Sequence, residues 1–378
     1  MSSPPDHQDP ASPPWQRRAA RAWPALVPAL ALVVLLATWG RDLGLVMVLL
    51  VAVVLAGSVL AAVHHAEVVA HKVGEPFGSL VLAVAVTVIE VALIVTLMVS
   101  GGPETQTLAR DTVFAAVMIT TNGIVGLSLL VGARRYGTAL FNAEGAGAAL
   151  ATVAALATLT LVLPNFTSAL PGPEFSPAQL TFAAVASLAL YAMFVLTQTV
   201  RHRDFFLPVA TTKTSSQDAE AHADPPTGPA AAVSLALLLV SLVAVVGLAK
   251  VESPAIEATV AAAGLPLSFV GVVIALLVLL PETLAAVRAA RRNRIQISLN
   301  LAFGSAMASI GLTIPTIAAA SIWLQGPLVL GLGSTQMVLL ALTVVVGVLT
   351  VVPGRATRLQ GGVHLVLLAA FLFWAVLP

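Results

Sequence analysis

Eleven apolar runs, each long enough to cross a membrane, dominate this sequence of 378 residues. A helix needs ~20 mainly apolar residues to span the hydrocarbon core of a bilayer. The runs are 22–40, 43–63, 79–99, 111–132, 146–164, 179–200, 230–250, 264–285, 298–320, 327–350 and 361–378. Only 9% of the residues are charged, whereas soluble domains carry about 25%. We therefore predict an all-α polytopic membrane protein with about eleven transmembrane helices.

The first apolar run predicts a leading transmembrane helix over 22–40. Residues 1–16 are rich in Pro, Ser and Asp, which predicts disorder and, with the next few residues, a disordered cytoplasmic N-terminus over 1–21. Three arginines before the run resemble the start of a signal peptide. The run is long and no small-residue cleavage site follows it, so an uncleaved helix is expected.

The basic residues predict the orientation, because Lys and Arg mark cytoplasmic loops. With the N-terminus inside, fifteen of the 18 Lys and Arg residues fall on the cytoplasmic side and three outside. The outside residues are Arg41, Arg110 and Lys250. We therefore predict a multi-pass protein of the cell inner (plasma) membrane, with a cytoplasmic N-terminus and an outside C-terminus. The lipid bilayer is its first partner.

The longest polar stretch, 201–229, divides the remaining ten runs into two sets of five. It contains RHRD, KTSSQD and PPTGP, which predicts a flexible cytoplasmic linker. Two consecutive five-helix units, 43–200 and 230–378, must have opposite orientations in the membrane. That is the layout of inverted-repeat transporters, whose site lies near the midplane between the repeats.

Two glutamates lie inside apolar runs, where charge is costly. A charge at the centre of a bilayer costs at least ~2.5–3.5 kcal/mol, so it marks a functional site by default. Glu90 lies in the second run of the first unit, and Glu282 lies in the second run of the second unit. Helices at equivalent positions of two inverted repeats can bring both carboxylates to one midplane site.

Two buried carboxylates can hold either a cation or protons. Hard cations such as Ca²⁺ prefer oxygen ligands, and two carboxylates balance one divalent charge. Without a metal, carboxylates close together in a low-dielectric site hold protons more tightly than exposed ones. A site that binds a cation or protons, but not both at once, predicts an antiporter, because each substrate must leave before the other can bind. The cation and H⁺ would be cargo, and no resident cofactor is predicted.

Neighbouring polar residues are candidate ligands for the same cation. Thr87 lies three residues before Glu90. Three roles fit its hydroxyl: it orients the carboxylate, it ligates the cation, or it bonds back to its own helix. Pro281 precedes Glu282, so it either frees a carbonyl at the site or marks a packing kink. Further candidate ligands are Asn300, Ser305 and Asn122, whereas Gly304 and Ser309 fit close helix packing as well as a site.

Other polar residues fit less specific roles at the helix ends. The predicted inner mouth contains five titratable residues, His64, His65, Glu67, His71 and Glu75. Together they fit a pH sensor, a point of cation access or a solvated loop. Asp111, Glu252 and Glu257 lie at the outer mouth, and Glu257 is a candidate for the exit path. Glu144 fits a charge at a helix end.

Two segments carry a resemblance to the calcium/cation antiporter superfamily, closest to bacterial ChaA-type members and related to the CAX calcium/proton exchangers. They are HHAEVVAHKVGEPFGSLVLAVAVTVIEVALIV (64–95) and LLPETLAAVRAARRNRIQISLNLAFGSAMASIGLTIP (279–315). The second keeps the CAX spacing of a glutamate, the triplet Arg292-Asn293-Arg294 and Gly304-Ser305-Ala306. The resemblance covers roughly 22–378. It implies eleven spans in two inverted repeats, with Glu90 and Glu282 binding Ca²⁺ or protons alternately.

The chain departs from the CAX pattern before each glutamate. Where CAX repeats have Gly-Asn-Ala, this chain has Val-Thr-Val at 86–88 and Val-Leu-Leu at 278–280. Gln296 stands where CAX proteins often have an acid. ChaA-type proteins are associated with sodium and potassium as well as calcium. The sequence therefore predicts Ca²⁺/H⁺ antiport, with Na⁺(K⁺)/H⁺ antiport as the alternative.

Two other function classes fit the sequence less well. A channel usually builds its filter from symmetric rings, and two non-identical repeats do not supply one. An enzyme is not expected, because the chain has no Cys and no HExxH, GxSxG or GxxxxGK[ST] motif. The net charge of +1 argues against nucleic-acid binding.

Overall fold

The structure is a computed structural model that describes residues 14–41, 43–74, 77–100, 106–209, 226–323 and 327–377. Within these residues the chain forms eleven helical rods, a short 3₁₀ helix at Arg203–Phe206 and two short strands. The rods are α1 Pro14–Thr38, α2 Leu45–Val73, α3 Phe77–Ser100, α4 Leu108–Tyr136, α5 Ala143–Phe166, α6 Pro177–Arg201, α7 Gly228–Ala262, α8 Phe269–Arg291, α9 Ile295–Ala320, α10 Ser334–Val351 and α11 Arg358–Val376. The strands are β1 Ala139–Leu140 and β2 Arg355–Ala356.

The rods confirm the predicted all-α polytopic membrane fold. In the described part of the chain, nine of them are long and apolar enough to cross a membrane. The other two, α1 and α3, contain the shorter apolar stretches Ala22–Thr38 and Ala83–Val99. Each apolar run of the sequence therefore corresponds to one helix.

Several helices extend beyond their apolar runs, and α1 and α7 do so around proline residues. Helix α1 begins at Pro14, so part of the segment predicted to be disordered is helical; proline is favoured in the first helical turn because its missing N–H has no partner there. Helix α7 continues past the run at 230–250 to Ala262 and accommodates Pro254 inside it. Residues 1–13, Glu75, Lys213 and the centre of the predicted linker, 210–225, lie outside the described residues.

The connections between helices gather at two ends of the bundle. At one end β1 pairs with β2, and the Tyr136 hydroxyl donates to the Arg291 carbonyl oxygen at 2.8 Å. We call this the basic end, because α4, α6, α8 and α10 end there among most of the arginines. At the far end the connection after α5 meets the connection after α9, through a bridge between Glu174 and Val329.

The buried apolar side chains form two main clusters. One joins α1, α2 and α7 to parts of α3 and α8, and the other joins α4, α5, α6, α9, α10 and α11. Helix α8 contributes to both, with Ile274 and Val278 in the first cluster and Ala275 and Leu279 in the second. The helices that carry the two glutamates therefore lie along the boundary between two packed bodies.

Glycine brings α4 and α11 into close contact. A Cβ atom on Gly361 would lie 2.7 Å from the Leu130 nitrogen and 2.9 Å from the Gly126 carbonyl oxygen. Small residues allow this approach in membrane bundles. A residue with a side chain at 361 would force the two backbones apart.

We expect Gly361→Val to lower the unfolding temperature in detergent, with an overpacking cost of ~1–3 kcal/mol. Gly362→Val is the matched control, because a Cβ atom on Gly362 meets nothing within 4 Å. Both variants carry the same change in helix propensity. Equal unfolding temperatures for the two variants would contradict the close α4–α11 contact.

Candidate functional site

A cavity of about 210 Å³ lies between α3, α6, α8 and α9. Both glutamates line it, one from the middle of α3 and the other from the middle of α8. The other polar lining residues are Thr87, Tyr191, Gln198, Asn300, Ser305 and Ser309. The structure thus brings together the two carboxylates that the sequence analysis singled out.

Glu90 is buried and held by one hydrogen bond from another helix. Glu90 is only 4% exposed. The Ser309 hydroxyl donates a hydrogen bond to Glu90 Oε1 at 2.5 Å. The apolar neighbours Ile89 and Val91 are buried beside it. Burial of a carboxylate away from water is costly unless hydrogen bonds or a ligand compensate. The Ser309 hydroxyl supplies part of that compensation in this conformation.

Glu282 has a free oxygen in the described structure. Its Oε2 atom is buried and has no hydrogen-bond partner among the described residues. Pro281 precedes it inside α8 and cannot donate a helical hydrogen bond to the Leu277 carbonyl. A buried oxygen without a partner carries the full cost of desolvation. This oxygen is therefore the atom of the cavity most in need of a cation or a proton.

The other ligands predicted from the sequence differ in whether their polar atoms are already bound by protein groups. Thr87 is one helical turn from Glu90 and lines the cavity, as does Ser305. The Asn300 amide also lines it, but its Nδ2 donates to the Phe206 carbonyl oxygen at 2.7 Å. Its Oδ1 accepts from Gln296 Nε2 at 2.9 Å. Asn300 therefore anchors the segment after α6 as well as facing the cavity.

Asn122 is not among the residues that line the cavity. It lies in a π-helical turn of α4, Ile119–Ile124, and its Nδ2 donates to the Thr343 hydroxyl at 3.0 Å. Its Oδ1 is 3.1 Å from His364 Nδ1. The structure thus places this amide in a buried polar network with α10 and α11.

Three polar residues of the cavity were not among the cation ligands predicted from the sequence. Ser309 fitted close helix packing as well as a site, and its hydroxyl bonds to Glu90. Tyr191 and Gln198 of α6 face the cavity and were not singled out. Gln198 is a polar residue inside an apolar run, which is the signal that could have identified it. Among the described residues, no group of three or more His, Cys, Asp and Glu residues could hold a metal.

The cavity extends from the glutamates toward the basic end. Its lining reaches Gln198 in the last turn of α6 and Ile297 in the first turn of α9. On the other side of Glu90, toward the far end, Ile94, Ala109 and Ile317 form a buried apolar cluster. The cavity therefore extends from the glutamates toward the basic end, and a buried apolar cluster lies between Glu90 and the far end.

The charged and histidine residues of α2 lie outside the cavity lining. His65 Nε2 is 2.9 Å from the Pro24 carbonyl oxygen, and the His64 ring is 5.9 Å from the Trp23 ring. These contacts join α1 to α2. Glu67 is exposed, within electrostatic reach of Arg288 and Glu282. His71 lies in the last turn of α2.

We expect Ser309→Ala to reduce cation transport about 3- to 10-fold, because a hydrogen bond to a charged group contributes ~1.5–3 kcal/mol and part of it is recovered by water. Initial rates in reconstituted vesicles measure the change. The matched control is Thr316→Ala on the same helix, whose hydroxyl bonds to the Leu312 carbonyl oxygen away from the cavity. Equal rates for the two variants would remove Ser309 from the site.

Comparison with known proteins identifies the family. The family model for sodium/calcium exchanger proteins matches residues 43–200 and 233–377. The protein y4hA of Sinorhizobium fredii is 45% identical over 364 residues, which cover 94% of this chain and 96% of y4hA. The sodium-potassium/proton antiporter ChaA of Escherichia coli is 36% identical over 351 residues, covering 92% of this chain and 94% of ChaA.

Two solved structures share the fold. The H⁺/Ca²⁺ exchanger CAX superposes with a TM-score of 0.71 at 15% identity, over 95% of this chain and 88% of CAX. Native YfkE superposes with a TM-score of 0.68 at 17% identity, over 95% of this chain and 99% of YfkE. The family-model match and the identity to y4hA and ChaA show that the chain belongs to the sodium/calcium exchanger protein family, within the calcium/cation antiporter superfamily, and is a membrane cation exchanger rather than an enzyme.

Proposed function

We propose that this chain is a secondary active cation/proton antiporter in which Glu90 and Glu282 bind the cation or protons alternately. The observation that carries the proposal is the convergence of both carboxylates on one cavity from two different helices. The buried, unpartnered Oε2 of Glu282 supports it, because such an oxygen is stabilised by a cation or a proton. Thr87 and Ser305 are the proposed neutral oxygen ligands. Asn300 would join them by exchanging its present partners, and Asn122 would need α4 to rearrange.

We also propose that the antiporter consists of two inverted repeats, α2–α6 and α7–α11, after the leading helix α1. The two separate matches of the family model, at 43–200 and 233–377, support an internal duplication. Glu90 and Glu282 then occupy the second helix of each repeat. The excess of arginine at the basic end supports its assignment to the cytoplasm of an inner-membrane protein.

With the basic end in the cytoplasm, the cavity that contains Glu90 and Glu282 extends toward the cytoplasm, so this is an inward-facing conformation. A cation from the cytoplasm would reach Glu282 through the cavity, displace protons from both carboxylates and bind between them. Alternating access would follow if the body of α1, α2 and α7 moved along the other body, since the glutamate helices lie between them. Proton binding from outside would then release the cation and complete the cycle.

Calcium is the leading cation, because two carboxylates neutralise one divalent charge in a low-dielectric site. Sodium or potassium is the second candidate, and two observations favour it. ChaA, named a sodium-potassium/proton antiporter, is 36% identical over 92% of this chain. The amide of Asn300 is also occupied by protein partners, so few neutral ligands remain for calcium.

Proteoliposomes with an imposed pH gradient distinguish these cations. A pH-sensitive dye inside the vesicles reports proton release after CaCl₂, NaCl or KCl is added outside. We expect calcium to dissipate the gradient, in vesicles with the protein but not in empty ones. Dissipation by sodium or potassium without any response to calcium would contradict the calcium assignment and support the second candidate.

A further inference from the structure

Two side-chain amides form a hydrogen-bonded network at the basic end of the cavity of about 210 Å³. The Asn142 backbone N–H donates to Gln296 Oε1 at 2.7 Å. Gln296 Nε2 donates to Asn300 Oδ1 at 2.9 Å, and Asn300 Nδ2 donates to the Phe206 carbonyl oxygen at 2.7 Å. This amide network joins the residue before α5, the first two turns of α9 and the 3₁₀ helix after α6.

The backbone groups at its two ends fix the orientation of both amides. A backbone N–H can only donate, so Gln296 turns its oxygen toward Asn142 and its Nε2 toward Asn300. A backbone carbonyl can only accept, so Asn300 turns its Nδ2 toward Phe206 and its Oδ1 toward Gln296. Flipping either amide would place two donors or two acceptors against each other. The Asn300 oxygen is therefore bound to Gln296.

The two amides differ in their access to the cavity. Gln296 is 1% exposed and is not among the residues that line the cavity, whereas Asn300 is only partly buried and lines it. A buried donor that loses its acceptor carries the cost of desolvation, so the Gln296 amide keeps its hold on the Asn300 oxygen. Gln296 can influence a cation in the cavity through Asn300, without touching that cation.

The hairpin of α8 and α9 brings Asn300 close to Glu282. The Ser298 hydroxyl donates to the Ala286 carbonyl oxygen at 2.6 Å, so these two residues lie at the same level of the antiparallel helices. One turn further into the bundle, Glu282 is level with Ala302, which is ~3 Å along the helix axis from Asn300. Asn300 therefore carries a neutral oxygen beside the carboxylate whose Oε2 has no partner among the described residues.

A donor bound to an amide oxygen competes with a cation for that oxygen. Ca²⁺ takes about 6–8 oxygen ligands, amide oxygens among them. The attraction between an ion and an amide dipole grows with the charge of the ion. Because Gln296 holds the Asn300 oxygen, the site loses more binding energy for Ca²⁺ than for Na⁺ or K⁺.

We propose that Gln296 is a specificity-determining residue of the exchanger. By binding the Asn300 amide oxygen, it keeps that oxygen from the cation and lowers the preference of the site for a divalent over a monovalent ion. Gln296 is thus a positioning residue that acts through Asn300. This inference rests on the proposed antiport function, and it adds a residue that tunes which cation the glutamates bind.

Gln296→Met tests this role, because it removes the donor to Asn300 without adding charge. We expect the calcium dissociation constant to fall about 10-fold, as for the gain of one contact to a charged group. The sodium constant should fall only about 3-fold, because the attraction for a single charge is half as large. Binding of radiolabelled calcium to the purified protein, and its displacement by NaCl, gives both constants. No tightening of calcium binding, or equal changes for both ions, would overturn the proposal.

Asn300→Ala shows whether the effect passes through Asn300. Alone, it should leave the ratio of the two constants unchanged, since the oxygen is already held by Gln296; any loosening of the 3₁₀ helix would affect both ions alike. Combined with Gln296→Met, it should remove the whole gain in calcium binding. A gain that persists without Asn300 would overturn the proposal.

Gln296→Glu serves in the same pair of backgrounds if Gln296→Met fails to fold. Its carboxylate still accepts from the Asn142 N–H but cannot donate to Asn300. Its added charge is present with and without Asn300, so the difference between the two backgrounds still measures the amide oxygen. Cation binding by the wild-type protein without any proton exchange would contradict the antiport function instead.

Discussion

Glu282→Gln is expected to abolish cation-driven proton release, reducing its rate at least ~100-fold. The substitution preserves the shape of the side chain but removes the charge, and the loss of a charged ligand at a buried site costs about 3 kcal/mol or more. Because Glu282 Oε2 has no hydrogen-bond partner among the described residues, the substitution breaks no described hydrogen bond at that oxygen. Reconstituted protein and a pH-sensitive dye provide the measurement.

Glu90→Gln should cause a loss of the same size, since both carboxylates are needed to bind one divalent cation. A glutamine at 90 can still accept the hydrogen bond from the Ser309 hydroxyl, so the variant should fold. Glu144→Gln is the control for both variants, because Glu144 is an exposed residue at the start of α5 and does not line the cavity. Exchange retained by either cavity variant would remove that residue from the cation site.

The apparent affinity for the cation should fall steeply as the pH on the cavity side falls. A protonated carboxyl group is neutral and does not attract a cation, so protons and the cation compete for the same oxygens. By linkage, the half-saturating cation concentration rises up to ~10-fold per pH unit for each competing proton, or ~100-fold when both glutamates are protonated. Above the pH at which both are ionised, the affinity should become constant.

Transport rates over a cation series at several pH values measure this dependence, at constant ionic strength so that screening does not change. A half-saturating concentration that is the same at every pH would contradict competition. A cation affinity that increased at low pH would contradict it more strongly, because it would mean that protons and the cation bind together.

The sequence was sufficient to predict the helices because hydrophobic length is read directly from it. Each apolar run became one helix, and the two charges inside the runs led to the cavity that contains Glu90 and Glu282. The ends were less predictable. Pro14 begins α1 within a polar segment, and α7 accommodates Pro254, because helix ends depend on capping and neighbours as well as on hydropathy.

The direction in which each side chain points was not predictable from the sequence. In helices that are apolar on every side, the pattern does not indicate which face meets another helix. The sequence therefore left Ser309 equally suited to close helix packing and to the site, and the structure places its hydroxyl against Glu90. Asn122 was predicted to be a cation ligand, whereas in the structure its amide bonds to Thr343 and lies against His364.

In the proposed antiporter, cation movement and proton movement are coupled through Glu90 and Glu282. The most direct measurement imposes a cation gradient alone across proteoliposomes that start at equal pH on both sides, with the membrane potential clamped. We predict that the cation gradient drives protons in the opposite direction and creates a pH difference, which is absent with Glu282→Gln. Cation flux without any proton movement in the wild-type protein would contradict antiport and indicate a channel.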